Sequence, residues 1–257
     1  MNDIFGFSIL VDGVDIKLYG MKLQSYEIQS YVKRKTNGID IPGAHGTQAV
    51  PSALASNSFV AKVICTGHDV DDVQAHIRRF FAFMYSNTEA RKIVFTDDMG
   101  VARYAILDSP DKYKVTQGVD NAMAELKLTF YMLDPFMHNL EQDRIVRDLE
   151  YGQIISVFNE AYECPAVYTM KNMEHHAVSE IALIVNNELV TFSCTLEPGD
   201  ELVLDTREYE VRLNGNVRLD YWEGEMPHLK NGENFIYHNN AEHANLLTTV
   251  EFTKLWV

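Results

Sequence analysis

Short runs of alternating apolar and polar residues fill most of this chain, and clusters of Gly, Pro, Asn and Asp separate them. Residues 7–11 and 14–18 flank Asp12-Gly13, a dipeptide that takes the positive φ angles of a type I′ turn with little strain, so a β-hairpin is predicted at the front. Strand-like alternation returns over 26–32, 58–65, 91–95, 102–107 and 122–132, the last ending in Leu133-Asp-Pro-Phe136. One segment has another period. Over 69–85, Val70, Val73, Ile77, Phe80, Phe81 and Met84 recur mostly at spacings of three and four, while Asp69, Asp71 and Asp72 suit a helix N-terminus. This predicts one amphipathic helix lying across a sheet.

Residues 137–165 give little pattern beyond a strand at 154–158 and a break at Glu163-Cys-Pro165. After that, strands are predicted at 166–170, 181–185, 188–192, 201–204, 209–213, 217–220, 234–237 and 247–252. Turns at roughly eight- to twelve-residue spacing are the mark of a β-sandwich. The expected fold is mostly β: residues 1–134 form a β domain with one α-helix, and 135–257 form a β-sandwich.

Charge separates the same two halves. Residues 1–134 hold 14 Lys and Arg against 16 Asp and Glu, whereas 135–257 hold 8 against 21, so most of the net −15 belongs to the second half. Such a balance argues against a grip on nucleic acid, because phosphate is drawn by clustered Lys and Arg. No apolar run approaches the roughly 18 residues of a membrane span, and the start lacks the basic and apolar regions of a signal peptide. No membrane partner and synthesis in a cytoplasm are the expectations. Cys65, Cys164 and Cys194 lack CxxC spacing, so buried free thiols are expected rather than disulfides or zinc.

Candidate chemistry is sparse. Glu208 with Glu210 and Glu223 with Glu225 are spaced by two, which on a strand places each pair on one face, but an acidic chain produces such pairs by chance. His175-His176 has no HxH or HExxH companion, and GxSxG, GxGxxG and GxxxxGK[ST] are absent. No catalytic residue, metal site or cofactor is predicted. Trp222 and Tyr237, each beside polar residues, are the candidate glycan contacts, since a sugar-binding sandwich needs an exposed aromatic platform; a module that attaches to cell-wall polysaccharide is the alternative function. The Gly- and Pro-rich connection over 36–51 is long for a compact domain, and such segments are usually functional or extended onto a partner.

Taken in order, Ile39-Asp-Ile-Pro-Gly-Ala-His-Gly46, the helix, Leu133-Asp-Pro-Phe136, Val211-Arg-Leu-Asn-Gly215 and Leu229-Lys-Asn-Gly-Glu-Asn-Phe-Ile-Tyr237 resemble the distal tail proteins of long-tailed phages and prophages of Gram-positive bacteria. The resemblance implies an N-terminal tail-tube-like domain that assembles as a homohexamer around the tail channel, and a galectin-like sandwich at its periphery. It implies a structural baseplate protein of the virion tail, with rings packed back to back in isolation. The implied partners are the tail tube protein, the tip or hub protein, the tape measure protein and receptor-binding or other baseplate proteins, with DNA passing through unbound during host attachment. Ile41, Pro42, Gly43, Ala44, His45 and Gly46 correspond to the loop that reaches a neighbouring subunit. Family members often carry charges between those glycines, where this chain has Ala44-His45.

Overall fold

A computed structural model describes residues 6–28, 37–40, 47–50, 54–218 and 220–256. The chain divides into two compact units, Met1–Met137 and His138–Trp256.

In the first unit the opening hairpin forms from β1 (Ile9–Val11) and β2 (Val14–Asp15), with Asp12 at φ 50° and Gly13 at φ 82° as the type I′ turn requires. Its second arm is shorter than its sequence suggests. Asp15 accepts a hydrogen bond from the Lys17 amide and diverts the chain into a 3₁₀ turn, Ile16–Tyr19, which Gly20 ends in the left-handed region. There follow β3 (Met21–Ile28), β4 (Asn37–Asp40), β5 (Thr47–Val50), β6 (Asn57–Gly67), helix α1 (Val70–Met84), β7 (Arg91–Phe95), β8 (Val101–Pro110), β9 (Val115–Gln117) and β10 (Ala122–Met132).

The antiparallel order is β2-β1-β7-β8-β10-β6-β3, with β9 added to β10. Along β10 every second residue is buried, and Phe130 is paired with Phe59 of β6. The Phe59 ring stacks on Phe130 at 4.8 Å and meets the edge of Phe95 at 5.6 Å. Helix α1 lays Val73, Ile77, Phe80 and Met84 into this core. Asp69 caps its N-terminus by accepting from the Asp72 amide at 2.9 Å. The Arg91 guanidinium closes the other end, donating to the Phe83 carbonyl at 2.5 Å and pairing with Asp12 at 2.6 Å. A cation there also complements the helix dipole.

The second unit contains β11 (Met137–Asn139, which begins at the division), β12 (Asp143–Leu149), β13 (Ile155–Asn159), β14 (Ala166–Asn172), β15 (Ile181–Val185), β16 (Glu188–Phe192), β17 (Glu201–Asp205), β18 (Glu210–Leu213), β19 (Asn216–Val217), β20 (Trp222–Gly224), β21 (Gly232–Asn239), β22 (Leu246–Phe252) and β23 (Leu255–Trp256). One sheet runs β12-β22-β14-β17-β18-β19 and the other β13-β21-β15-β16-β20. Both are antiparallel, and their strands alternate buried and more exposed residues apart from β15, which is buried on both faces, so the unit is a β-sandwich. Tyr168, fully buried in the first sheet, donates its hydroxyl to the Pro227 carbonyl at 3.3 Å. Of the strand predicted over 217–220, Val217 is paired, in β19 (Asn216–Val217), and Leu219 lies outside the described residues.

Candidate functional site

Local hydrogen bonding turns part of the predicted connection at 36–51 into a hairpin. β4 and β5 pair antiparallel, Asn37 opposite Val50 and Asp40 opposite Thr47, as a sheet of their own. Ile41, Pro42, Gly43, Ala44, His45 and Gly46 fall between the two strands in sequence and lie outside the described residues. Among the described residues neither strand joins another sheet. A lone two-stranded hairpin is marginally stable in water, so this one stands to gain from packing against a further surface.

The segment Lys230-Asn-Gly-Glu-Asn234 has a structural explanation. Asn234 is fully buried on β21, and its amide donates to the carbonyls of Lys230 at 2.9 Å, Gly232 at 3.0 Å and Val157 at 3.3 Å. Its oxygen accepts from the Lys230 amide at 2.8 Å and from the Asn186 side chain at 2.6 Å. One side chain thus ties the β21 entry to β13 and to the turn between β15 and β16. The Asn231 amide adds a bond to the Ala161 carbonyl at 2.7 Å.

Trp222 and Tyr237 belong to the same five-stranded sheet but point to opposite faces. Trp222 pairs with Phe192, which pairs with Ile181, and both partners are buried in the sandwich. Tyr237 pairs with Ile184, whose side is the outer one. Directly paired residues in an antiparallel sheet share a face, so the two aromatic rings do not combine into one platform.

The carboxylate pairs separate for local reasons. Tyr209 takes φ 56° between Glu208 and Glu210, so β18 begins only at Glu210, whose carboxylate pairs with Arg212 at 2.6 Å. Gly224 takes φ 126° between Glu223 and Glu225, and a Cβ there would lie 2.3 Å from the Leu189 carbonyl oxygen. The strand therefore ends at that glycine, and the spacing of two no longer implies one face. His175 and His176 are both exposed outside strands. Among the described residues no group of three or more His, Cys, Asp or Glu is placed to hold a metal ion.

Burial pushes the Cys65 thiol up to about 11 and the Cys164 thiol up to about 12, and it raises Cys194 as well. A thiol is nucleophilic as thiolate, so all three are poorly suited to covalent catalysis near neutral pH. Alkylation followed by peptide mass spectrometry is expected to label the half-buried Cys194 first, with Cys65 and Cys164 reacting only after denaturant is added. Equal labelling rates at the three positions in the native protein would contradict this burial.

Residues 11–132 match the family model described as phage tail protein RIFT-related domain, and residues 161–256 match the siphovirus-type tail component, C-terminal domain. No curated protein sequence matches the chain. Among solved structures, the chain is similar to the Dit protein of phage SPP1, described as a paradigm of the hub adsorption apparatus in phages infecting Gram-positive hosts. Identity is 14%, coverage is 98% of this chain and 99% of that one, and the TM-score is 0.80. The activated phage P2 baseplate with calcium gives 8% identity, coverage of 96% and 97%, and a TM-score of 0.47. The SPP1 likeness agrees in fold, and the two domain models, in this order, take in most of the sequence. The chain therefore belongs to the siphophage distal tail protein family and is a component of the virion tail.

Proposed function

We propose that this chain is a ring-forming hub subunit that joins the tail tube to the baseplate or tip and performs no chemistry. The observation that carries the reading is the succession of a tail-protein domain and a siphovirus-type tail-component domain in one chain. In this reading residues 1–134 form the ring, with six copies around the channel, and residues 135–257 form the peripheral domain that docks receptor-binding or other baseplate proteins. The β4–β5 hairpin, with Ile41–Gly46 between its strands, reaches the neighbouring subunit and acquires there the packing that an isolated hairpin lacks. Tail tube, tape measure and tip proteins are the axial partners. The unequal charge suits a DNA conduit, because the ring domain is nearly neutral and the acidic excess lies in the outer domain.

Light scattering and negative-stain microscopy test this reading. The intact protein is expected to form rings of several subunits, and a variant lacking residues 37–50 is expected to keep its far-ultraviolet circular dichroism while losing the ring. An intact protein that stays monomeric at high concentration sinks the proposal.

A further inference from the structure

The outer face of the five-stranded sheet exposes more apolar surface than a solvated sheet face requires. Tyr237 pairs with Ile184, which pairs with Leu189, so these side chains make one row across β21, β15 and β16, in which Ile184 is buried between a half-buried Tyr237 and an exposed Leu189. Ile154, one residue before β13, extends this row, because Ile155 is opposite Ile236. Phe235 is the next outward residue on β21, and Phe158 sits diagonally from it on β13. Phe158 is 66% exposed, Ile154 58%, Leu189 52% and Phe235 46%. These four together present on the order of a few hundred Å² of apolar surface on one sheet face, the size at which patches mark interaction sites.

The charges on this face have one sign. Its outward positions include Glu223 and Glu233, the latter accepting a hydrogen bond from Ser156 at 2.6 Å, and no Lys or Arg occupies an outward position of the five strands. Two copies meeting through this face would bring like charges together in a half-chain that already carries the acidic excess. A cationic rim around an apolar centre is the complementary surface.

We propose that this face is the docking surface of the C-terminal unit, and that its occupant is a segment of another protein whose apolar side chains are flanked by Lys or Arg. The inference rests on the docking role proposed above and adds where the partner sits and what chemistry it carries.

The test uses the full-length protein and a synthetic peptide of alternating leucine and lysine, with a leucine–glutamate peptide as its counterpart, in isothermal titration calorimetry. Only the leucine–lysine peptide is expected to bind, more weakly as salt is raised. A Phe158→Ser/Phe235→Ser variant is expected to bind at least about tenfold more weakly, because two ring contacts are removed. Val146→Ser, on the other sheet, is expected to leave binding unchanged. Equal binding by wild type and the double variant, or no binding of the leucine–lysine peptide, overturns the proposal. A fall in assembled mass in the double variant overturns it too, by making a second copy the occupant. Rings that form normally while peptide binding fails would remove this surface alone; absence of rings in the wild type would remove the reading beneath it.

Discussion

Asn234→Ala is expected to destabilise the C-terminal unit by about 4 kcal/mol, because five hydrogen bonds converge on this buried amide and water cannot readily replace them. Each buried group left without a partner carries a desolvation penalty of about 1–3 kcal/mol, and relaxation of the turn at Gly232 recovers part of the total. Both tryptophans, Trp222 and Trp256, lie in this unit, so intrinsic fluorescence during urea unfolding reports on it directly. The midpoint is expected to fall by about 2 M. A loss below about 1 kcal/mol would show that the amide network is dispensable and that solvent takes its place.

Phe59→Ala should be as severe in the other unit. Phe59 is 1% exposed and joins β6 to β10 and β7 through the Phe130 and Phe95 rings. Deleting the ring removes its transfer free energy and leaves a cavity that the sheet, fixed by its register, cannot close, for a loss of about 3–5 kcal/mol. Native-state hydrogen exchange should show it as faster exchange of β6 and β10 amides. Unchanged protection there would mean that the aromatic cluster does not hold the sheet together.

Regular alternation made much of the fold legible. Strand β10 spans the predicted 122–132, and helix α1 carries the stripe read from Val70, Val73, Ile77, Phe80, Phe81 and Met84, of which Val70 and Phe81 are only partly buried. Both signals depend only on which side of an element meets the core. The edge strand β12 escaped because its described side chains are exposed or only half-buried and carry no apolar rhythm; Arg144, Arg147 and Asp148 all face solvent. Strands β11 and β23 are short and are made by long-range pairing, which no local window contains. The 3₁₀ turn after Asp15 depended on one side-chain hydrogen bond rather than on hydrophobic period.

The candidate surfaces were legible in part. Gly and Pro marked 36–51 as unusual, but they hid the two short strands that make it a hairpin. Trp222 and Tyr237 were found by residue type, whereas their opposite orientations follow from registers linking β20, β16, β15 and β21. The outward row Tyr237, Ile184 and Leu189 was invisible for the same reason, since its members come from three strands. The Lys-Asn-Gly-Glu-Asn segment served as a family marker, and the structure gives it a reason in the bonds of Asn234.

Strands β11 and β23 bring the start of the second unit beside its last described strand, with the Asn139 amide bonded to the Lys254 carbonyl at 3.0 Å. The first and last strands of this unit are therefore clasped to each other, and fraying at either end must first break that pairing. A unit whose ends lie together tolerates changes of length between them without displacing the clasp itself.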